Sequence, residues 1–426
     1  MAEGSRIFST KTCDPFLRQK GNNMDMEVFW AQRWKALWFV TALGFVFSAN
    51  YTNHGPLVPT LVKDLQITLA LAGFLTTAIF LSHGALQIPG GALADKFGAK
   101  QVALGSLVII TAGNFCIGFS ISYYQILVLK FIIGIGTGAA FIAGARYVPT
   151  FFAGKEIQRA QGVYGGSILL GSGFVIYGVP QILAALGWHS VFVITGAMAG
   201  ILAVLWHFFA PDTPSHATSP KIEWGKVVGN RNIWLLSIAQ FGSFGAIIAA
   251  GVWVNTLLIK GIHLDPKTAG IIGSTVLLLG IISRPLGGLI LGHQMTTPKR
   301  LLIWSCAGLA LGFVWIALST TLIMAFLAII FTGMMAGLPF AGIFNSARDN
   351  CPGSPGVAMG FVNTWGAFGV MVLPPIIGRL VDISGTFVSG FYVLAGAAVA
   401  GFLCCLALTP ADVCLTVETK PASAAE

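Results

Sequence analysis

The feature that most constrains this chain is a series of apolar runs, each about twenty residues long, separated by short polar breaks. A helix of about 20 apolar residues spans the hydrocarbon core of a bilayer, and such runs recur from Trp34 to Thr409. We count about twelve of them by this length criterion. Only 9% of the residues are charged, against roughly 25% in soluble domains. The pattern therefore predicts an all-α polytopic membrane protein with no soluble domain between its spans.

The distribution of charge predicts the orientation of the chain. There are 24 lysines and arginines against 15 acids, a net charge of +9, which in a soluble protein would suggest nucleic-acid binding. Here most basic residues fall on the two tails and on alternate loops, the positive-inside pattern for an even number of spans. We therefore expect a monomeric multi-pass protein of the cell inner membrane, in contact with lipid, without a nucleic-acid partner and with both termini cytoplasmic.

An internal repeat predicts how the spans are assembled. At an offset of 197 to 199 residues, Gly134 and Gly138 match Gly333 and Gly337, and similar matches occur on neighbouring helices. Internal repeats of this kind are typical of transporter folds. The repeat divides the chain into a cytoplasmic tail (1–33), a six-helix half (34–210), a central cytoplasmic loop (211–231), a second six-helix half (232–410) and a cytoplasmic tail (411–426).

A glycine-rich segment with three charges lies between the second and third spans, Gly91-Ala92-Leu93-Ala94-Asp95-Lys96-Phe97-Gly98-Ala99-Lys100. Its glycines permit a tight turn and close helix approach, Asp95 can pair with a neighbouring helix end, and the lysines favour the cytoplasmic side. The segment resembles the signature loop of the major facilitator superfamily. The resemblance implies twelve helices in two pseudo-symmetric halves, secondary transport by alternating access, and a conformational latch formed by Gly91, Asp95, Lys96, Gly98 and Lys100.

The sequence departs from that family pattern at three places. Gly292 stands where the second-half loop would carry its aspartate, and Lys130 stands where the fourth helix commonly has an arginine. Lysine offers a point charge without the planar fork of arginine. The fifth span also lacks the Gly-Pro pair of the drug antiporter signature, which argues against drug antiport.

Polar residues in the middle of spans are the candidate solute ligands, because such residues are rare in membranes and tend to be functional. Asn50, Asn53 and His54 share one helical face at i, i+3 and i+4. The alternative is that they only hydrogen-bond neighbouring helices. His83 and Gln87 face the cytoplasmic half of the second span and are candidates for a gate as an alternative to the solute site. The remaining substrate-binding candidates are Lys130, Asn255, Asn363 and Trp365, with Gln240 on the same span as Asn255.

The sign of the solute follows from the charges within the spans. Lys130 lies inside one, whereas all 15 acids fall in tails, loops or span ends. A cation porter normally uses a buried carboxylate, so we expect a small organic or inorganic anion. A neutral polar solute remains an alternative, as does a sensor or assembly factor that does not transport. A proton remains a candidate coupling ion.

The resemblance also bears on the kind of anion. The small-anion porters of the superfamily, for nitrate and nitrite, cyanate or dicarboxylates such as oxalate, are the nearest classes. Nitrate and nitrite porters usually carry an arginine in the second and the eighth helix. The second span here has none, and Arg284 is expected near the cytoplasmic end of the eighth. This expectation argues against nitrate.

The sequence gives no support for an enzyme. Chemistry in a membrane-embedded enzyme needs clustered acids, histidines or a nucleophile with a base, and the seven histidines are scattered without ligand spacing. The seven cysteines include no Cys-x-x-Cys pair. We therefore expect no catalytic residues, no metal site and no cofactor.

Overall fold

The structure, a computed structural model, describes residues 32–67, 69–213, 224–264 and 266–409. The expected tails lie outside these residues except for Gln32 and Arg33, and so does the middle of the expected central loop. The side chain of Asn255 is also outside the described set.

The described residues form twelve helical spans in two groups of six. They are α1 (Arg33–Thr52), α2 (Leu69–Ala85 and Gln87–Phe97), α3 (Ala99–Gly118), α4 (Tyr123–Phe151), α5 and α6 (together Lys155–Phe209, divided at Gly187), α7 (Arg231–Gln240, Phe241–Gly245 and Ala246–Gly261), α8 (Pro266–Leu278 and Gly280–Gly292), α9 (Pro298–Ala317), α10 (Leu322–Gly337 and Phe340–Asn350), α11 (Pro355–Ser384) and α12 (Val388–Leu406).

Several spans are interrupted, and the sequence explains two of the interruptions. Leu86 separates the two parts of α2, three residues before Pro89, and Pro339 lies in the break of α10. Proline removes a backbone donor and its ring crowds the carbonyl four residues earlier, which breaks a helix. Gly187 supplies the positive φ of 79° at which α5 ends and α6 begins. Nine helices of the described ranges are long and apolar enough to cross a membrane.

The two halves meet through close backbone contacts that repeat the internal symmetry. A Cβ added to Gly91 on α2 would lie 2.3 Å from the carbonyl oxygen of Gly356 on α11. A Cβ added to Gly288 on α8 would lie 2.3 Å from the carbonyl oxygen of Gln158 on α5. Only glycine permits helices to approach so closely. The pairs α2–α11 and α5–α8 therefore form the interface between the halves.

Polar contacts close this interface on the side of the protein where α2 ends and α3 begins. We call this side the motif side, because the glycine-rich segment from Gly91 to Lys100 lies there. The backbone N–H of Gly356 donates to Asp95 Oδ1 at 3.2 Å. Asn345 Nδ2 donates to Gln158 Oε1 at 2.9 Å, and Arg159 contacts a ring nitrogen of His293 at 3.1 Å. Each contact joins one half to the other, so the structure represents a state that is closed at the motif side.

Candidate solute-binding site

Aromatic side chains fill the centre between the halves. The ring of Tyr51 on α1 lies 5.8 Å from that of His83 on α2, and His83 lies 6.2 Å from Phe141 on α4. Phe141 in turn contacts Phe340 on α10 at 6.4 Å and Tyr164 on α5 at 6.3 Å. Ring edges and faces in such a cluster exclude water and leave few polar partners. Any charged group at this position therefore interacts strongly with its surroundings.

Arg284 on α8 is that charged group. Its Nη1 donates to the carbonyl oxygen of Gly165 on α5 at 2.8 Å, across the interface between the halves. The guanidinium carbon lies 4.4 Å from the ring centroid of Phe340. Arg284 is buried, and its Nε has no partner among the described residues. Tyr51 and Tyr164 belong to the aromatic cluster around it.

The position of Arg284 corrects the expectation from the sequence. Its side chain was expected near the cytoplasmic end of the eighth span, whereas the residue lies about two helical turns before α8 ends at Gly292. The break between Leu278 and Gly280 and the contact of α8 with α5 direct the guanidinium toward the centre of the molecule. The position of Arg284 therefore no longer argues against nitrate, whereas the lack of an arginine on α2 still does.

A small cavity adjoins the guanidinium on the side of the second half. It is lined by Gln240, Ser243, Phe244, Ile247, Arg284, Ala336, Pro339 and Phe340. Gln240 Nε2 donates to the side-chain oxygen of Asn363 on α11 at 3.1 Å, and Asn363 is buried. Asn363 is thus one hydrogen bond away from the wall of this cavity, next to Arg284.

Lys130 and Asn53 lie in a different place, within the first half. Lys130 Nζ donates to Asn53 Oδ1 at 2.5 Å and lies 5.0 Å from the ring centroid of Phe192. Asn53 Nδ2 donates to Asn114 Oδ1 at 2.9 Å and to Thr195 Oγ1 at 2.8 Å. Every polar atom of the Asn53 side chain is therefore engaged, and the network joins α1, α3, α4 and α6. This geometry favours the helix-packing interpretation, and solute binding by these two residues stays a prediction.

The other two polar residues of α1 lie beside this network. Asn50 Nδ2 donates to the Val46 carbonyl oxygen at 2.8 Å, while its Oδ1 is buried and has no described partner. His54 Nε2 lies 2.9 Å from Thr76 Oγ1, and its Nδ1 also lacks a described partner. Both residues keep one polar atom available, so their role as solute ligands stays a prediction too.

Trp365 is not brought together with the central cluster. Its ring lies 5.5 Å from that of Trp234 and 5.9 Å from that of Phe368. Both neighbours are more than a third exposed, as expected for side chains at the outer surface of a membrane bundle. Trp365 therefore packs toward the periphery of α7 and α11.

Of the residues expected to form the latch, Asp95 bonds to the opposite half and Lys100, among the residues that the structure describes, does not. Asp95 is buried, and its Oδ1 accepts from Arg146 Nε at 3.1 Å in addition to the Gly356 bond between the halves. Lys100 Nζ pairs instead with Asp212 at 2.7 Å, in the connection that follows α6.

The other three expected latch residues shape the segment around Asp95. Gly91 supplies the backbone contact with Gly356, and Gly98 supplies the positive φ of 88° between α2 and α3. Lys96 is exposed, with its ammonium 5.1 Å from the ring centroid of Phe97.

Comparison with known proteins decides the family. The model of the Major Facilitator Superfamily matches residues 40–372 of this chain, well over half of its length. The chain belongs to the Major Facilitator Superfamily. The predicted fold class, twelve helices in two pseudo-symmetric halves, is confirmed. The prediction of a secondary transporter for a small solute is confirmed as well.

Relatives and solved structures agree with this assignment. The nitrite extrusion protein of Bacillus subtilis (strain 168) is 25% identical over 348 residues, which cover 82% of this chain and 87% of that protein. The probable sulfoacetate transporter SauU of Cupriavidus necator is 26% identical over 412 residues, covering 90% and 94%. The crystal structure of the superfamily transporter FucP in the outward conformation has a TM-score of 0.74 at 16% identity, covering 88% of this chain and 98% of that one.

Sequence reasoning missed Arg284, Tyr51 and Tyr164 as residues of the central site. Arg284 was expected near the end of the eighth span, and its position in the chain gave no sign that its side chain turns inward. Tyrosines are common at helix ends in membranes, so nothing in the sequence set Tyr51 or Tyr164 apart. Arg284 stands within the apolar run of the eighth span, eight residues before Gly292, so a search for basic residues within spans could have found it.

Proposed function

We propose that this transporter moves a small anion, and that Arg284 is the cationic group that binds it. The observation that carries the proposal is a buried guanidinium at the interface of the halves, held by a carbonyl oxygen and an aromatic face with no described carboxylate against it. A buried charge without a counter-ion is costly. An anionic solute would supply that counter-ion in each transport cycle.

The charges elsewhere in the protein support an anion over a cation. The acids whose side chains the structure describes are Asp64, Asp95, Glu156, Asp212 and Asp349, and each lies at a helix end or in a connection between helices. A cationic solute at the centre would therefore meet Arg284 and no described carboxylate. The relatives named for nitrite and for sulfoacetate, both anions, support the same sign.

The binding geometry supports alternating access. Arg284 contacts α5 of the first half from α8 of the second, so a solute held there is in contact with both halves. Arginine presents five N–H donors, and one hydrogen bond to the protein leaves others for an oxoanion. Asn363 and Gln240 lie at the edge of the same cavity as further candidates. Asp95, Gly91 and Gly356 close the motif side while the solute is exchanged at the other.

We further propose that the motif side is cytoplasmic and that the membrane is the cell inner membrane, with a single chain as the transporting unit. The positive-inside distribution of lysine and arginine supports this orientation. The halves are placed at 34–210 and 232–410. A proton is the proposed coupling ion, and the proposed solute-binding residues of the first half remain Asn50, Asn53, His54 and Lys130.

Uptake into proteoliposomes tests the function. Radiolabelled nitrite, acetate and oxalate are offered to vesicles containing the purified protein, in competition with unlabelled anions and with organic cations. We expect saturable uptake of at least one anion, competition by other small anions and none by cations. Competition by a cation with no effect of any anion would contradict the proposal. Binding of an anion without uptake would instead indicate a sensor.

A further inference from the structure

The internal repeat assigns Gln87 a counterpart in the second half. Gln87 precedes Gly90 and Gly91 on α2 by the same spacing at which Arg284 precedes Gly287 and Gly288 on α8. The equivalence is structural, because a Cβ added to either Gly91 or Gly288 would lie 2.3 Å from a carbonyl oxygen of the opposite half. Gln87 thus occupies in the first half the place that Arg284 occupies in the second.

Gln87 is fully buried, and neither its Nε2 nor its Oε1 has a partner among the described residues. Gln161 on α5 is also fully buried, and its Nε2 and Oε1 also have no partner among the described residues. Buried side-chain amides almost always have hydrogen-bond partners in folded proteins. Two fully unpartnered amides therefore indicate a polar molecule at this place, either water or the solute.

Both amides flank the central site. Gln87 lies one helical turn from His83, whose ring contacts Tyr51 and Phe141 in the aromatic cluster. Gln161 lies one turn from Gly165, whose carbonyl oxygen holds Arg284. One end of the site is thus a cation, and the equivalent end in the other half is a neutral amide.

We infer that the solute is a monoanion with a second, uncharged hydrogen-bonding group such as a hydroxyl. Its carboxylate or other oxoanion pairs with Arg284, and its hydroxyl pairs with Gln87. A side-chain amide both donates and accepts, so it satisfies both functions of a hydroxyl group. A second negative charge would be buried against a neutral amide, which is unfavourable. The inference rests on the proposed function and adds the substrate class.

Lys130 does not supply the missing second charge in this structure. Its ammonium is held by Asn53 and by the face of Phe192 inside the first half. Arg284 is therefore the cation that we assign to the solute, and the asymmetry between Arg284 and Gln87 sets the preference for a monoanion.

Three anions with the same two-carbon skeleton test this: acetate, glycolate and oxalate. Their affinities for the purified protein are measured by calorimetry. We expect glycolate to bind about tenfold more tightly than acetate, as one additional hydrogen bond to a buried partner provides, and oxalate to bind more weakly than glycolate. In Gln87→Met, the ratio of glycolate to acetate affinity should fall to about one, with acetate binding preserved. In Gln87→Arg, oxalate should overtake glycolate.

The control is Ser305→Ala, which removes a buried hydroxyl that donates to the Leu301 carbonyl oxygen of its own helix, α9, at 2.7 Å, and which should leave all three affinities unchanged. An unchanged glycolate preference in Gln87→Met would overturn the inference, and so would a preference of the unmodified protein for oxalate. In either case the proposed function stands if acetate binding depends on Arg284. If no anion binds, both fail. The preference of the unmodified protein needs no variant, so a misfolded Gln87 variant does not prevent a decision.

Discussion

The hydrogen bond from Gly356 to Asp95 lends itself to a quantitative prediction, because it is a charged contact that joins the two halves. Asp95→Asn keeps the shape of the side chain and removes its charge. A hydrogen bond to a charged group contributes about 1.5–3 kcal/mol and a neutral one about 0.5–1.5 kcal/mol. The substitution therefore removes about 1–1.5 kcal/mol from the state closed at the motif side. That loss shifts the ratio of open to closed molecules roughly tenfold.

This shift should slow turnover more than it weakens solute binding, since Asp95 is at the motif side and does not touch the central cluster. The ratio of open to closed molecules is measured from distances between spin labels at positions 97 and 295, after replacement of the native cysteines. Phe97 and Met295 are exposed and lie on opposite halves at the motif side. We expect a larger population of long distances in Asp95→Asn and a lower maximal uptake rate.

Glu156→Gln is the matched control. Glu156 pairs with Arg33 at 3.1 Å at the same side of the membrane, but both residues belong to the first half. The side chains are 38% and 29% exposed, so the pair contributes only about 0–1 kcal/mol, and none of it depends on the distance between the halves. Equal distance distributions in Asp95→Asn and the unmodified protein would refute the reasoning. So would an equal shift in Glu156→Gln.

Two further predictions follow from packing. Gly91→Ala and Gly288→Ala each place a methyl group against a carbonyl oxygen of the opposite half and should open the motif side in the same spin-label measurement. Gly105→Ala, where a Cβ meets nothing within 4 Å, should leave the distances unchanged. Unchanged distances in Gly91→Ala would contradict the close approach. Asn53→Leu removes the nearer acceptor of the buried Lys130 ammonium and leaves it the Asn50 carbonyl oxygen at 3.5 Å, so it should destabilise the protein by about 1–3 kcal/mol. The loss should appear as a lower unfolding temperature that Lys130→Met partly restores in the double variant, and an unchanged unfolding temperature would mean that the network carries no stability.

The fold could be predicted because its signals are local. Apolar runs of membrane length, the segment around Asp95 and the spacing of glycines in the two repeats are each readable from a few neighbouring residues. The glycines of the segment around Asp95 also predicted a close helix approach, although they left open which helix Gly91 meets. Lipid imposes helical spans on any such sequence, so little depends on details of packing.

The site could be predicted only in part, because its partners are distant in the chain. Asn53 attracted attention as a polar residue within a span, but its bonds to Asn114 and Thr195 join residues 61 and 142 positions away. Arg284 was visible, yet its direction depends on how α8 is interrupted and packs on α5. Hydropathy determines that a residue is in the membrane and leaves open whether it faces a neighbouring helix or the centre.

The central claim is that Arg284 binds an anion, and calorimetric titration of acetate into Arg284→Gln tests it most directly. Loss of a charged hydrogen bond of about 1.5–3 kcal/mol should weaken binding by about tenfold to a hundredfold, and Arg284→Lys should retain part of the affinity. The unfolding temperature should not fall, because removal of a buried charge without a carboxylate partner is often neutral or stabilising. Arg159→Gln, which removes an arginine that joins the halves at the motif side, should bind acetate normally. Acetate affinity in Arg284→Gln equal to that of the unmodified protein would contradict the account.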